Sequence, residues 1–310
     1  MSTTRHGVVL GCPRSGTTFL LSVLNSLPSL ECMNGTLLPV TIPHVVNQSI
    51  DKEIYDALAV GFERALDDYL HSGRYDARLP ALRKWTQAPT GVSGFVRALQ
   101  LPRRKPEMIV YKEPFLAFAP QFTLDALPDA RIIHIYRDGR DCANSLRRKY
   151  DVLTDEKLTN LLGAEMRLGR PYDHRYVPWW VAPNEEDAFM SSSPYVRAVW
   201  MWKVMARSCY DVFYQPEVVE SGRVLHLRYE DFVQDPHHHG QRLLDHLGVE
   251  GSSSFWKQID RSRTSSIGTH KHRENHDEES RAIEAIAGDE LRLYGYEPHQ
   301  SPSPSSHIPA

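Results

Sequence analysis

Residues 11–18 combine glycines, hydroxyls and one cation in a spacing that suits the binding of a phosphate group. The segment reads Gly-Cys-Pro-Arg-Ser-Gly-Thr-Thr, follows a short apolar run and precedes an amphipathic stretch. A loop between a strand and a helix directs backbone N–H groups and the positive end of the helix dipole at an anion. The spacing is that of a P-loop, but Thr17 stands where nucleoside triphosphatases carry lysine. The cation is instead Arg14, which suits an anion that has fewer charges than a triphosphate and needs no metal.

A tight strand-to-helix turn that binds nothing is the alternative interpretation of residues 11–18. Such a turn needs the glycines, because they adopt backbone angles that other residues avoid. It does not need a cation flanked by hydroxyls, so the pattern favours a phosphate cradle.

A second polar cluster follows a later apolar run that ends at Tyr136. It reads Arg-Asp-Gly-Arg-Asp, begins at Arg137, and is followed by Ser145 two turns along a predicted helix. Open α/β sheets bind ligands at the carboxyl ends of their strands, so Arg137 and Ser145 could hold one phosphate together. Salt bridges at the helix start, among Arg137, Asp138 and Asp141, are the alternative interpretation.

Apolar runs and helical periodicities alternate along the chain and predict its fold class. Short β-branched runs predict buried parallel strands at residues 7–10, 108–111, 131–136 and 223–227. Amphipathic patterns predict helices at residues 17–27, 51–70, 141–150, 195–213 and 278–293. This alternation predicts an α/β fold with a P-loop-type central parallel sheet flanked by helices. We expect residues 169–193, rich in proline and aromatic residues, to form a long irregular loop that serves as a lid, a binding loop or a surface insertion.

Composition limits the domain organisation and the partners. The chain has 310 residues, of which 41% are hydrophobic, and this predicts one domain over residues 1–297. The Ser- and Pro-rich residues 298–310 predict a disordered tail. With a formal net charge of −3, we expect neither a nucleic acid nor a membrane surface as a partner. The oligomeric state stays open.

The cysteines and histidines predict neither a disulfide framework nor a metal site. The four cysteines lack CxxC spacing, which fits a reducing cytoplasm. No apolar run approaches the length of a membrane span. The run His237-His238-His239 has no Cys or acidic partner at ligand spacing, so we expect a solvated helix start there.

The Arg-bearing P-loop and the later Tyr-Arg-Asp-x-Arg-Asp-x-x-x-Ser segment together resemble the sulfotransferase family. In that family the first motif holds the 5′-phosphosulfate of 3′-phosphoadenosine 5′-phosphosulfate (PAPS), and the second holds its 3′-phosphate. Three further segments are similar: Arg-Tyr-Glu-Asp-Phe with Tyr229 against the adenine, Phe19 stacked on the base, and R-x-x-x-x-G-x-x-K from Arg263 closing over the 3′-phosphate. The similarity extends over residues 6–297.

The resemblance implies a set of donor-binding residues. They are Pro13, Arg14, Ser15, Gly16, Thr17, Thr18, Phe19, Arg137, Ser145, Tyr229, Arg263, Gly268 and Lys271. It also implies that Lys112, at the end of a strand, lies next to the group that is transferred, so that Arg14 and Lys112 act in catalysis. No metal is required, and 3′-phosphoadenosine 5′-phosphate (PAP) is the product.

The general base is not fixed by the resemblance. Cytosolic members carry a histidine two residues after the strand lysine, where this chain has Pro114. Tyrosylprotein members carry a glutamate after the first helix, where this chain has Asn34 and Gly35. The remaining candidates are His44, in a segment expected to border the acceptor, then Glu113, which could instead neutralise Lys112, and then Glu31.

The sequence predicts only the chemical class of the acceptor. Aromatic residues between 172 and 180 and the apolar stretch 37–46 favour a hydroxyl, or in second place an amine, on a small hydrophobic or aromatic molecule. A carbohydrate or a tyrosyl peptide stays open. Two rival functions are a P-loop kinase or nucleotidase that uses ATP and Mg²⁺, which the missing loop lysine disfavours, and a non-catalytic PAP-binding protein.

Overall fold

The structure is a computed structural model, and it describes residues 5–35, 41–69, 92, 95–96, 106–160, 168–273 and 276–297. The chain divides into two units. Unit 1 contains residues 1–137 and 208–265, and unit 2 contains residues 138–207 and 266–310. The predicted domain boundary at residue 297 stays a prediction, and residues 298–310 lie outside the described residues.

The strands of the described residues are β1 (Arg5–Leu10), β2 (Leu30–Asn34), β3 (Met108–Lys112), β4 (Arg131–Tyr136), β5 (Gly169–Tyr172), β6 (Arg175–Pro178) and β7 (Val224–Arg228). The α-helices are α1 (Thr17–Leu24), α2 (Thr41–Val46), α3 (Lys52–Tyr69), α4 (Pro120–Ala126), α5 (Gly139–Tyr150), α6 (Asp155–Asn160), α7 (Glu186–Ser191), α8 (Pro194–Phe213), α9 (Pro216–Ser221), α10 (Tyr229–Gln234), α11 (Pro236–Leu247), α12 (Ser253–Ile259) and α13 (His276–Leu293).

Unit 1 is built on a five-stranded parallel sheet with the order β2-β3-β1-β4-β7. Every residue of β3, and every residue of β1 after Arg5, is buried. Parallel strands need both faces of the sheet to be covered, which explains the unbroken β-branched runs in the sequence. The four predicted strands and their parallel direction are therefore confirmed.

Strand β2 was not predicted. It pairs with β3 at one end of the strand order, with Glu31 beside Ile109 and Asn34 beside Lys112. An edge strand tolerates polar residues, so its sequence lacks the continuous apolar run that marked the central strands. Glu31, the third candidate base, is a partly exposed residue of this strand.

Helix α3 packs on the sheet through aromatic rings. The ring of Phe62 lies 5.5 Å from that of Tyr111 in β3 and 5.8 Å from that of Phe122 in α4, measured between centroids. Edge-to-face contacts of this kind add to the apolar area that the rings bury. The five predicted helices correspond to α1, α3, α5, α8 and α13 within about three residues at each end.

In unit 2 the beginning of α5 packs against α8 at Gly139. A Cβ added to Gly139 would stand 2.3 Å from Cδ2 of Trp202, so no larger residue fits at this crossing. The other side of Trp202 meets Tyr294 of α13, whose hydroxyl donates to the carbonyl of Ala206 at 2.9 Å. These contacts fix the orientation of α5 within unit 2.

Residues 169–193 are more regular than the long irregular loop that we expected. Strands β5 and β6 form an antiparallel hairpin in which Tyr172 pairs with Arg175, and α7 follows. The two-residue turn holds Asp173 in the left-handed region, with φ 51°. Asp adopts that conformation more readily than most residues. The hairpin was not predicted because Pro171 interrupts the alternation of apolar and polar residues that indicates a strand.

None of the described helices is long and apolar enough to span a membrane.

A pair of histidines links β4 and β7 inside unit 1. The Nδ1 atoms of His134 and His226 lie 3.3 Å apart, so one ring donates and the other accepts, which requires the accepting ring to be neutral. Burial, and then the neighbouring His226, lowers the pKa of His134, while burial lowers the pKa of His226 to about 4.

We expect the protein to lose stability as the pH falls from about 6.5 to about 4. In this window the histidines of the unfolded chain bind protons that the folded pair does not, so the free energy of unfolding decreases as pH decreases. Urea unfolding between pH 7.5 and 4.5 measures the effect, which should be about 1–3 kcal/mol for His226. His226→Gln should flatten the pH dependence and the exposed His272→Gln should not. Parallel curves for wild type and His226→Gln would contradict this origin.

Candidate functional site

The sheet of unit 1 brings the sequence motifs to one edge. The P-loop follows β1, Lys112 ends β3, Arg137 follows β4 and Tyr229 follows β7. Because these four strands are parallel, their carboxyl ends lie on the same side of the sheet. This is the edge at which open α/β sheets bind ligands.

The P-loop of unit 1 has a backbone bent by positive φ angles. Arg14 has φ 73°, Gly16 has φ 101°, and the amide of Ser15 donates to the carbonyl of Cys12 at 3.0 Å. Arginine in the left-handed region is strained, and such strain is common where a loop presents a group to a ligand. Helix α1 begins directly afterwards at Thr17. The loop therefore has the strand, turn and helix start that a phosphate cradle needs.

The guanidinium of Arg137 joins the second motif to the P-loop. Its Nη1 donates to the backbone carbonyl of Arg14 at 3.1 Å, and its Cζ lies 4.8 Å from the centre of the Tyr229 ring. The side chain is 5% exposed, so these contacts form in a largely desolvated place where cation–π attraction is strongest. Three residues assigned to donor binding thus meet within unit 1.

Tyr229 also packs on the P-loop. A Cβ added to Gly16 would stand 2.6 Å from Cδ2 of its ring, so glycine is required by space as well as by φ. Nearby, Phe19 of α1 and Phe232 of α10 have ring centroids 5.8 Å apart. Ser15 and Thr17 are buried, Pro13 and Phe19 are partly exposed, and Thr18 is exposed.

Lys112 is held by the edge strand. Its Nζ donates to Oδ1 of Asn34 at 2.9 Å, and the side chain is 9% exposed. The pairing of β2 with β3 places Asn34 beside Lys112 in register. Sequence reasoning had no means to find this partner, because β2 itself was not predicted.

Glu113 has a structural contact that bears on its chemistry. Its Oε1 accepts a hydrogen bond from the amide of Phe115 at 3.0 Å and so caps the 3₁₀ turn Pro114–Phe118. Its Oε2 occupies the space beside Gly35, where an added Cβ would stand 1.8 Å away. The carboxyl is 3% exposed. The bond to the Phe115 amide uses one of the acceptor sites of the carboxylate, so Glu113 has a structural role in this turn.

His44 lies on α2, which is attached to the segment after Glu113. The side-chain amide of Asn47 donates to the carbonyl of Pro43 at 2.7 Å and to that of Phe118 at 2.9 Å. His44 is partly exposed. The contact brings the helix that bears one candidate base next to the turn capped by the other. Residues 37–40 of the predicted acceptor segment lie outside the described residues.

Unit 2 contains the rest of the second motif. Asp138 caps α5 by accepting from the amide of Arg140 at 2.9 Å, and it pairs with the Arg140 side chain at 2.7 Å. The alternative interpretation of this motif placed Asp138 in helix-start salt bridges among Arg137, Asp138 and Asp141, whereas the structure pairs Asp138 with Arg140. Ser145 is a partly exposed residue of α5.

The carboxylate of Asp141 binds the loop that contains Gly268 and Lys271. Its Oδ2 accepts from the amide of Gly268 at 2.7 Å and its Oδ1 from the amide of His270 at 3.0 Å. Gly268 has φ 72° and is partly exposed, while Lys271 is exposed. The alternative interpretation of the motif placed Asp141 in a salt bridge at the helix start, and neither interpretation foresaw its contacts with this loop. Arg263 belongs to unit 1 and is exposed.

Within the described part of the chain, no group of three or more His, Cys, Asp or Glu side chains is arranged to hold a metal ion. His237, at the start of α11, is exposed and stacks on Trp256 at 5.3 Å between ring centroids. The capping residue there is Asp235, which accepts from the amide of His238.

Comparison with protein-family models identifies one match. The model described as "Sulfotransferase family" matches residues 8–177, more than half of the 310 residues. The matched range contains the P-loop, Lys112, Arg137 and Ser145. A search of curated proteins found no match.

Three solved structures are similar to the chain over nearly its whole length. The sulfotransferase domain of the olefin synthase from Synechococcus PCC 7002 is 19% identical with a TM-score of 0.44, over 98% of this chain and 91% of that chain. The sulfotransferase domain from the curacin biosynthetic pathway is 17% identical with a TM-score of 0.49, over 96% and 99%. A sulfotransferase from Alicyclobacillus acidocaldarius is 15% identical with a TM-score of 0.46, over 96% and 98%.

We expect Gly16→Ala to lower the free energy of unfolding by about 1–3 kcal/mol, because alanine is strained at this φ and its Cβ would collide with Tyr229. Gly61→Ala is the matched control. Gly61 lies within α3 with nothing within 4 Å of an added Cβ, so alanine there should stabilise by about 0.5–1 kcal/mol. Urea unfolding measures both. Equal stabilities for the Gly16→Ala variant and the wild type would show that Tyr229 does not pack on the loop.

Proposed function

The chain belongs to the sulfotransferase family, and we propose that it transfers a sulfuryl group from PAPS to a hydroxyl, or in second place an amine, of a small hydrophobic or aromatic acceptor. The observation that carries the proposal is the hydrogen bond from Arg137 to the carbonyl of Arg14. It joins the two motifs that bind the two ends of PAPS in the family.

Donor binding is divided among the motifs. The backbone N–H groups of residues 14–18 and the Arg14 side chain bind the 5′-phosphosulfate, and Pro13 is part of the same loop. Arg137, Ser145, Arg263, Gly268 and Lys271 bind the 3′-phosphate, and Phe19 and Tyr229 bind the adenine. The ring of Tyr229 against Gly16 supports the adenine assignment, because it is fixed beside the loop that carries the phosphosulfate. The bonds between Asp141 and the Gly268 segment support the assignment of Ser145 and Lys271 to one ligand, since Ser145 lies on the same helix as Asp141.

The reaction is an in-line displacement at sulfur. The acceptor oxygen forms a bond to sulfur while the bond from sulfur to the 5′-phosphate oxygen breaks, and that oxygen keeps the electron pair as PAP leaves. Arg14, Lys112 and the loop amides stabilise the charge that grows on the bridging and sulfuryl oxygens, a contribution of about 3–4 kcal/mol for a well-placed donor. Asn34 keeps the Lys112 ammonium in place by accepting a hydrogen bond from it. No step requires a metal.

We assign the general base to His44 ahead of Glu113. Imidazole takes a proton readily near neutral pH, and His44 is partly exposed on a helix bonded to the segment after Glu113. Glu113 is buried, and its Oε1 already accepts the backbone hydrogen bond that caps a turn, which supports a structural role for it. Glu31 lies on the edge strand β2 and is the third candidate.

The acceptor class is supported by the aromatic residues of the hairpin and the turn after it. Tyr172, Tyr176, Trp179 and Trp180 lie within ten residues of each other, and Tyr176 is 36% exposed. A polyanionic sugar would need a basic groove instead. The cysteines of the described residues form no disulfide, which supports the cytoplasm as the compartment.

Binding of the product tests the donor. We expect PAP to bind in the presence of EDTA and adenosine 5′-phosphate to bind at least tenfold more weakly, because it cannot engage the cations assigned to the 3′-phosphate. Calorimetry measures both affinities, and mass spectrometry of an acceptor screen with PAPS measures turnover. Equal affinities would refute the two-phosphate assignment. If ATP with Mg²⁺ protected the protein against heat unfolding better than PAP does, a kinase would be favoured. PAP binding without turnover of any acceptor would favour a binding protein.

Paired substitutions test the base. We expect His44→Ala to lower kcat by about 10²- to 10⁴-fold with PAP affinity nearly unchanged, because the base acts on the acceptor proton. Glu113→Gln keeps the shape and the capping oxygen, so kcat should stay within a few-fold of the wild type. A large loss for Glu113→Gln beside a near-normal His44→Ala would move the role to Glu113. Near-normal rates for both would mean that an acidic acceptor needs no base.

A further inference from the structure

Asp141 is a buried carboxylate that accepts several hydrogen bonds from one loop. In addition to the two amides described above, its Oδ1 accepts from the hydroxyl of Thr269 at 3.1 Å and from Nδ1 of His270 at 2.9 Å. Asp141 is 1% exposed and His270 is 5% exposed. Hydrogen bonds to an ionised acceptor are the stronger kind, and leaving either partner unsatisfied in a buried place is costly.

A second residue on the same face of α5 completes the attachment. Asn144, three residues after Asp141, donates from Nδ2 to the hydroxyl of Thr269 at 3.2 Å. Its Oδ1 accepts from Arg273 at 3.2 Å, at the other end of the loop. Arg273 is itself fixed by Glu279, with two nitrogen–oxygen distances of 2.8 and 3.0 Å.

These contacts fix the backbone of residues 268–270. Gly268 is in the left-handed region, and the 3₁₀ turn Thr269–His272 follows. The amides of Gly268 and His270 both point at one carboxylate, which selects a single conformation for the segment between them. Lys271 comes directly after His270 and is exposed, so its direction depends on that conformation.

We propose that Asp141 is a positioning residue, which holds the loop of Gly268 and Lys271 in the conformation that binds the donor. The proposal rests on the proposed function for the part that concerns PAPS. If the loop is held in its competent conformation for a smaller fraction of the time, the apparent dissociation constant rises by the inverse of that fraction. Asp141 then acts on donor binding through Gly268 and Lys271, without touching the ligand.

A role of Asp141 through its charge and a role through positioning the loop predict opposite changes of PAP affinity in Asp141→Asn. Removal of a negative charge close to an anion site strengthens anion binding by electrostatics alone. Asparagine, however, presents an NH₂ group to at least one of the two loop amides, and a donor cannot satisfy a donor. Asp138→Asn is the control for charge, because it removes a negative charge from the start of the same helix, keeps a good N-cap and gives up contacts with Arg140 instead of with the loop.

The experiment combines hydrogen exchange of the ligand-free protein with calorimetry of PAP binding, for wild type, Asp141→Asn and Asp138→Asn. We expect amide exchange over residues 266–273 to become at least tenfold faster in Asp141→Asn, and the dissociation constant for PAP to rise at least tenfold. Asp138→Asn should leave both within about twofold of the wild type. In turnover, the KM for PAPS should rise more than kcat falls. Thr269→Val, which removes one hydroxyl and keeps the shape, should give smaller changes of the same sign and decides the matter if Asp141→Asn does not fold.

The outcomes separate this inference from the proposed function. Unchanged exchange over residues 266–273 in Asp141→Asn would overturn the attachment of the loop. Faster exchange with a PAP affinity equal to that of Asp138→Asn would overturn its role in donor binding. If wild-type protein fails to bind PAP, the donor assignment is refuted and with it the role of Asp141 toward PAPS, while the exchange result still decides whether Asp141 holds the loop.

Discussion

The parallel register of β1, β3, β4 and β7 is the constraint on which the site in unit 1 depends. Each strand delivers the residue that follows it to the same edge of the sheet, so motifs separated by more than 200 positions in the sequence become neighbours. Apart from Lys112 at the end of β3, the strands contribute no chemistry, and β1, β3 and β4 are largely buried. The apolar runs of these strands drive the folding of the sheet. They therefore position the site residues Arg14, Lys112, Arg137 and Tyr229, which do not drive folding themselves.

Each of the five residues that follow β4 makes a different contact, so the identity of every residue in this motif has its own structural reason. Arg137 bonds the P-loop backbone in unit 1, and Asp138 caps α5. Gly139 leaves room for Trp202, Arg140 neutralises Asp138, and Asp141 holds a loop of unit 2. Because Arg137 binds protein backbone as well as the proposed phosphate, removal of its side chain would disturb the P-loop and the 3′-phosphate site together. Its substitution alone therefore cannot separate donor affinity from the geometry of the cradle.

Much of the fold was predictable, because central parallel strands and long amphipathic helices leave strong periodic signals. The edge strand β2 and the hairpin β5–β6 were not predicted, since Glu31 and Pro171 interrupt the patterns by which strands are recognised. The P-loop and Arg137 were predictable because their residue types are unusual for a simple turn. The partners of Lys112 and Asp141 were not, because Asn34 and the Gly268 loop reach them through tertiary contacts that no local spacing encodes. The capping bond of Glu113 is local, because its partner Phe115 is two residues away, and Pro114 after it is a helix-start signal that the sequence analysis did not use.

The left-handed backbone of Arg14 sets folding and chemistry against each other at one position. Glycine adopts φ 73° without the strain that a Cβ introduces, so the loop would be more stable without its arginine. The sulfuryl chemistry proposed for this edge needs the positive charge that glycine lacks. Position 14 is thus a place of trade-off between stability and activity. In a library of variants, selection for folding alone would enrich glycine there, whereas selection for turnover would retain arginine, and the gap between the two enrichments would express the value of that single charge.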